Sequence, residues 1–270
     1  MSDIEITGEL FSPLSDSERP LSDSIARPSA SYWKNAWLRF SRDKLAIGSL
    51  VLLLAISLAA IAYPELTTYQ YDGQDLSVQN QGPGAAHWFG TDKFGRDILV
   101  RVCYGARISL TVGLVAAFIN MAVGVVYGGA SGYFGGRVDM VMMRIVDIIL
   151  GLPQLLYTIL IMMFLGNTIQ SIILALCLTY WTGTARIVRT QVLSLKNQEY
   201  ALAAKVLGAS DARIIFKHLI PNSMGPIIVT VTFLIPQAIF SEAFLSFLGI
   251  GIQIPQASWG TLVNDAIPTI

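Results

Sequence analysis

The sequence is poor in charge. Only 13% of its 270 residues are Asp, Glu, Lys or Arg, and eighteen acids balance eighteen bases. A net charge of zero gives nucleic acid no electrostatic reason to bind, so no such partner is expected. Cysteine and histidine are scarcer still, at two each. Cys103 precedes one apolar run and Cys177 lies inside another, so two free thiols are expected rather than a disulfide framework. His87 and His218 are far apart, with no Cys/His cluster and no H-E-x-x-H, which leaves metal binding without support. No G-x-x-x-x-G-K-[ST] occurs, which excludes ATP hydrolysis through a P-loop. Residues 1–30 carry scattered acids, Ser and Pro but no long apolar core. No secretory signal is read there, and disorder is expected.

What remains is mostly apolar. Hydrophobic residues make up 53% of the chain and the mean hydropathy is +0.57, more than one small core could bury. A membrane helix needs about 20 predominantly apolar residues. Residues 45–63 form one such run, closed by Pro64, and the stretch between Arg107 and Arg137 is uncharged throughout. A third run, 148–185, is too long for one crossing and divides at Gly166-Asn167 into a helical hairpin. The last, about 225–249, contains Pro236 and Glu242. The fold class is therefore all-α and polytopic, with five spans. Five spans leave the C-terminus outside, and a sixth helix is expected beyond the last residue.

Placing the N-terminus in the cytoplasm turns fourteen of the Lys and Arg residues inward and only Lys93, Arg96, Arg101 and Arg107 outward. Residues 31–44, SYWKNAWLRFSRDK, put Trp33, Trp37 and Phe40 on one helical face, as suits a helix lying in the membrane interface against lipid. Residues 64–106 then lie outside and 186–224 inside. Ionisable groups inside spans are costly. Glu242, roughly 25 Å along its helix by the 1.5 Å rise, is read as an ion-pair partner, an outer-gate residue or a partly solvated helix end. Asp139, Arg144 and Asp147 cluster at the inner end of the third span, as an ion-pair network or a substrate site. Pro153 and Pro236 are positions where spans kink, and the glycines of 124–136 are read as close helix packing. FGTDKFGRD, on the outside, is either a contact surface or a plain turn.

The most informative stretch is EYALAAKVLGASDARIIFKHLIPN, 199–222. Residues 196–207 favour helix, Gly208 is suited to end it left-handed, and Ser210 with Asp211 is suited to start a second helix. Pro221 and Asn222 mark the return to the membrane. Ala201, Ala204 and Gly208 place small residues on one face, which fits either a peg for a protein groove or an ordinary connector.

This stretch resembles the EAA loop of bacterial ABC importer permeases, a pattern of Glu-Ala-Ala, three residues, Gly and a later Pro. Ala203, Ala204, Gly208 and Pro221 match it, Leu202 stands where the pattern has Glu, and Glu199 opens the segment as in the peptide branch. HWFGTDKFGRDILVRVCYGARISL, GYFGGRVDMVMMRIVDIILGLPQLL and EAFLSFLGIGIQIPQASWG are similar to other parts of the same family, so that the likeness covers roughly 31–265. The resemblance is to the oligopeptide, dipeptide and nickel permeases, nearest the oligopeptide branch, with the type I transmembrane fold.

It implies a non-catalytic, multi-pass subunit of the bacterial inner membrane that forms half of a pathway for peptides. It implies as partners a homologous second permease, two cytoplasmic ABC ATPases that use ATP and Mg, and an extracytoplasmic solute-binding protein. Glu199, Ala201, Leu202, Ala203, Ala204, Gly208, Asp211 and Pro221 become the ATPase-coupling residues, and no cofactor is expected on this chain. An ion-coupled secondary transporter and an intramembrane enzyme are the competing classes. The first lacks an obvious repeat or midplane acid, the second any His–Ser or paired-Asp arrangement.

Overall fold

The structure is a computed structural model that describes residues 32–253 and 255–267, so the expectation for 1–30 lies outside the described residues. The chain divides into two compact units, Met1–Leu53 and Leu54–Ile270. The first contains α1 (Tyr32–Phe40) and the start of α2 (Lys44–Leu66). Trp33 and Trp37 of α1 are exposed, and Trp37 stacks on Phe40. No charge follows Lys44 in α2 until Glu65, and the helix carries Pro64 in its last turn instead of ending before it.

The second unit is built on α3 (Ile98–Phe134), which by helical rise is about 55 Å long. It starts ten residues before the apolar run does. Asp97 provides the reason: its Oδ1 accepts the Val100 N–H at 2.8 Å and caps the helix. After α3 come α4 (Gly136–Gly151) and α5 (Gln154–Leu165), which meet at 80°. Pro153, with no N–H to donate, stands at this break. Gly166, at φ +82°, ends α5, and Thr168 caps α6 (Ile169–Cys177). A tight turn at 178–180 leads to α7 (Trp181–Leu195). The short α8 (Glu199–Val206) and α9 (Asp211–Arg213) precede a π-helical turn, Ile214–Leu219, and α10 (Ile220–Asn222). α11 (Met224–Phe247) and α12 (Trp259–Ala266) complete the chain. Four helical stretches are long and apolar enough to cross a membrane, and the bent α4–α5 pair makes a fifth candidate.

One seam organises this unit. Along α3, Gly124, Gly128 and Gly132 face Thr184, Ala185 and Arg189–Val192 of α7. A Cβ on Gly128 would stand 2.2 Å from the Ala185 carbonyl oxygen, so only glycine lets the two backbones meet here. On one side of the seam Ile108, Val112, Ala116, Met162, Ile172 and Leu234 form a core; on the other, Val188, Val192, Ile214, Leu219 and Ile227 form a second.

Gly128→Ala is expected to force α3 and α7 apart and to cost about 1–3 kcal/mol, the usual range for overpacking. Thermal unfolding in detergent measures this. Gly225→Ala, where an added methyl meets nothing within 4 Å, serves as the control and should leave the midpoint unchanged or raised.

Candidate functional site

The segment between α7 and α11 is a compact, capped structure. α8 ends in a Schellman motif: the Ala209 N–H reaches the Ala204 carbonyl at 3.0 Å and the Gly208 N–H reaches Lys205 at 3.0 Å. Gly208 sits at φ +79° with open space around it. That is the left-handed position its place in the sequence predicts. Ser210 then caps α9, its Oγ accepting the Arg213 N–H.

The two alanines of the small-residue face turn inward, while Gly208 is exposed. Ala201 is 3% exposed, and it and Ala204 pack on the core formed by Val188, Val192, Ile214 and Leu219. What the segment offers to solvent is a tip: Val206 is 87% exposed and Leu207 86%, with Leu202 and Ala203 also exposed. Val206 and Leu207 were not singled out in the sequence, although two apolar residues off the alanine face and just before a glycine are a readable signal. Glu199 lies exposed in the first turn of α8. Asp211 accepts a hydrogen bond at 2.7 Å from the Tyr133 hydroxyl at the end of α3.

Pro221, read in the sequence as marking the return to the membrane, does not interrupt the helical run. Its ring would clash with the carbonyl four residues back in an α-helix. The preceding turn widens instead, with the Ile220 N–H bonding Ile215 five residues earlier. Pro221 thus sits inside a helical run that continues to α11 through Ser223.

Lys196 fixes the segment to α3, its Nζ donating to the Gly132 and Tyr133 carbonyls at 2.8 and 3.2 Å. Next to it, Asp139 accepts the Ser131 hydroxyl at 2.6 Å and both Nε and Nη2 of Arg189. Asp147 pairs with Arg186 at 2.6 Å. The cluster expected of Asp139, Arg144 and Asp147 is therefore corrected: both acids pair across to α7, and Arg144 is exposed with no ion pair among the described residues. The α3–α7 seam carries the α7 arginines to the carboxylates, which leaves none for Arg144.

At the other end, FGTDKFGRD is neither a plain turn nor open surface. Arg96, Asp97 and Thr91 are buried. Asp92 accepts Arg96 Nε at 2.7 Å and Arg101 Nη1 at 2.6 Å, and Arg101 Nη2 reaches Asp265 of α12 at 3.1 Å. His87 Nδ1 lies 2.8 Å from Asp97 Oδ2. Burial pushes the Asp92 carboxyl up, but the Arg96 and Phe94 N–H groups and the Arg96 guanidinium outweigh it and hold the group below the usual carboxylate range.

Glu242 is the second correction. It is 0% exposed, so it is not a partly solvated helix end, and no Lys or Arg pairs with it among the described residues. Its two oxygens accept the Ser109 and Ser246 hydroxyls, each at 2.8 Å. Those hydroxyls in turn accept the Trp259 and Ile252 N–H groups. The carboxyl thus ties α3, α11 and the loop before α12 together. The described residues contain no group of His, Cys, Asp or Glu that could hold a metal ion.

An all-α chain with several apolar spans, a seam of glycines and a capped segment displaying an apolar tip has the architecture of a polytopic membrane transport subunit. Comparison with known proteins identifies it more closely. Residues 121–270 match the family described as the inner membrane component of binding-protein-dependent transport systems. Residues 31–83 match the N-terminal transmembrane domain of oligopeptide transport permease C. The chain belongs to this permease family. It is 53% identical over 248 residues to the dipeptide transport system permease protein DppC of Bacillus subtilis, covering 92% of this chain and 78% of the relative. It is 48% identical over 248 residues to the oligopeptide transport system permease protein OppC of the same organism, covering 92% and 81%. For OppC of Escherichia coli K12 the identity is 42% over 246 residues, with 90% and 82% covered.

Because the folded-state pKa of Asp92 lies below its unfolded value of about 3.9, its stabilisation is complete above that value. It is lost as pH falls through the lower, folded pKa. The difference in unfolding temperature between the parent chain and Asp92→Asn should therefore be constant at neutral pH and shrink below about pH 4. A difference that grows on acidification would contradict this.

Proposed function

We propose that this chain is one of two homologous permease subunits of an ATP-binding-cassette importer for peptides, oligopeptides foremost, and that residues 199–222 receive the thrust of a cytoplasmic ATPase. The relatives named for dipeptide and oligopeptide transport, 42–53% identical to it, support the substrate class. In this reading the N-terminus is cytoplasmic, ATP and Mg are handled by two partner ATPases, and an extracytoplasmic binding protein delivers the peptide. The excess of Lys and Arg on one side supports that orientation.

The single observation that carries the coupling role is the exposed Val206–Leu207 tip, held on a capped rod whose other face is packed into the core. Apolar side chains raised this far from their own fold mark a surface that another protein covers. The rod is stiff where force must pass. Ala201 and Ala204 are seated against α7 and the π-helical turn, Lys196 clamps the entry, and Asp211 is tied to α3. Leu202, where the family pattern has a carboxylate, adds apolar area beside the tip, so docking here rests on burial more than on an ion pair. Glu199, Ala203 and Pro221 are exposed as well.

Leu207→Asp should leave the fold intact, since the side chain is already in solvent, and remove about 2 kcal/mol of apolar burial from the docked state. That corresponds to roughly thirtyfold weaker association, read as the ATPase concentration needed to restore uptake in reconstituted vesicles. Gly208→Val places a β-branched residue at φ +79°, with about 1–3 kcal/mol of backbone strain. ATP hydrolysis should then continue while peptide uptake falls. Normal coupling in both variants, at normal abundance, would overturn the proposal.

A further inference from the structure

A cavity of about 430 Å³ lies where three helical elements are interrupted or rich in polar groups: the α4–α5 break, the 178–180 turn between α6 and α7, and the middle of α11. Thr179 is roughly 15 Å along the stretch that begins at Ile169, and Gln237 is about half-way along α11, so the cavity sits at mid-depth. Its polar side chains are Gln154, Tyr157, Thr179, Tyr180, Thr182 and Gln237, and none of the residues lining it is charged. The Tyr157 hydroxyl donates to Thr179 Oγ1 at 2.6 Å, which orders one wall.

Two features indicate that something outside this chain occupies the space. The α4–α5 break strands backbone acceptors: Pro153 has no N–H, and the Ile149 carbonyl receives only the Leu152 N–H at 3.4 Å. No backbone N–H reaches the Leu150 or Gly151 carbonyls across the bend, and at membrane depth such groups are tolerated only where they are buried in protein or line a water-filled cavity. The second feature is Gly183. It lies inside α7, where glycine costs about 1 kcal/mol relative to alanine, yet a Cβ there would meet nothing within 4 Å. The seam glycines of α3 are explained by contacts with α7; Gly183 has no such contact. Its absent side chain leaves the cavity open.

We propose that this cavity binds the main chain of the peptide in transit through neutral donors and acceptors led by Gln237, Gln154 and Thr182, with Gly183 providing clearance. This rests on the peptide-permease reading above. Main-chain amides are what peptides of differing sequence have in common, and uncharged amides and hydroxyls match them without selecting a charged side chain. The volume falls within the range of ligand pockets. A packed helix from a second subunit would not require an uncharged polar lining at this depth, so a peptide is the favoured occupant.

The test uses the complete transporter, reconstituted with its binding protein, and compares ATP-dependent uptake of Ala-Lys-Ala and Ala-Glu-Ala. Gln237→Glu should raise the Lys/Glu uptake ratio about 25-fold over the parent, because a unit-charge contact near 4 Å in water favours the Lys peptide about fivefold and disfavours the Glu peptide by the same factor. Gln237→Lys should lower the ratio correspondingly. Dividing by the parent ratio cancels any preference of the binding protein. Gly183→Leu, in a complex that keeps all its subunits, should reduce uptake of both peptides. Unchanged ratios in intact complexes would overturn the inference, and so would loss of the partner permease from Gly183→Leu and both Gln237 variants, which would make the cavity a subunit interface. Absence of ATP-dependent uptake of either peptide by the parent complex would instead bring down the peptide-permease reading itself.

Discussion

The contact on which the rest of the structure depends is the bare meeting of α3 and α7. In a bilayer, lipid tails are as apolar as leucine, so helices gain little from hiding hydrophobic surface against one another. Close backbone approach, with many small van der Waals contacts, has to hold them instead. Gly124, Gly128 and Gly132 make that approach possible by removing every side chain that would stand between α3 and Thr184, Ala185 and Arg189. The seam in turn fixes the register of everything around it. Arg189 meets Asp139, Lys196 meets the last carbonyls of α3, and Asp211 lies within reach of Tyr133. None of these polar contacts would set the helix separation; each needs it to be set already.

Much of this was legible in the sequence. Uncharged runs disclosed the spans, and the glycines of 124–136 disclosed close helix packing, of which Gly124, Gly128 and Gly132, in four-residue steps on one side of the helix, form the seam. Gly208 declared a helix end because few other residues tolerate a left-handed turn. What the sequence hid are choices made by tertiary contact. Ala201 and Ala204 form a smooth face in any helical drawing, but only the core of Ile214, Leu219 and Val188 decides that this face turns inward. Asp147 and Arg144 are helix neighbours by spacing, and α7 decided otherwise by bringing Arg186 closer. Pro221 marks the return to the membrane in the sequence, but the π-helical turn that accommodates its ring is not written there. Glu242 looked as if it needed a cation or water, because two serines far apart in sequence do not announce that they will share one carboxyl.

Polar groups are sorted by depth in a way that single residues do not reveal. Asp139–Arg189 lies at one end of the bundle and the Asp92, Arg96, Arg101 and Asp265 cluster at the other, while Asp147–Arg186, with both side chains half-exposed, stands between the first of these and the cavity. Neutral amides and hydroxyls occupy the interrupted middle. Charges near an interface retain access to water or to a partner, whereas a charge at mid-depth costs several kcal/mol unless compensated. In the proposed transporter, a route lined in this way would present no fixed charge at the cavity to attract one class of side chain and repel another. Selection by sequence would then be left to whatever delivers the solute.

The same helix joins the two places to which function is attributed. α7 begins at Trp181, beside the cavity, and ends at Leu195, where the chain turns into the α8 rod. Fifteen residues of uninterrupted helix make a lever of about 22 Å, seated along most of its length on the glycine seam. In the proposed transporter, a displacement imposed at the Val206–Leu207 tip would be carried into α7 by Ala201 and Ala204, and from α7 to the 178–180 turn. The π-helical turn gives a second route into α11, since Ile214 and Leu219 pack on Val188 and Val192 while their own chain continues to Gln237. Both routes converge on the walls of the cavity. In the proposed transporter the ATPase therefore need not push on the peptide at all; it has only to move the frame in which the peptide's amides are held.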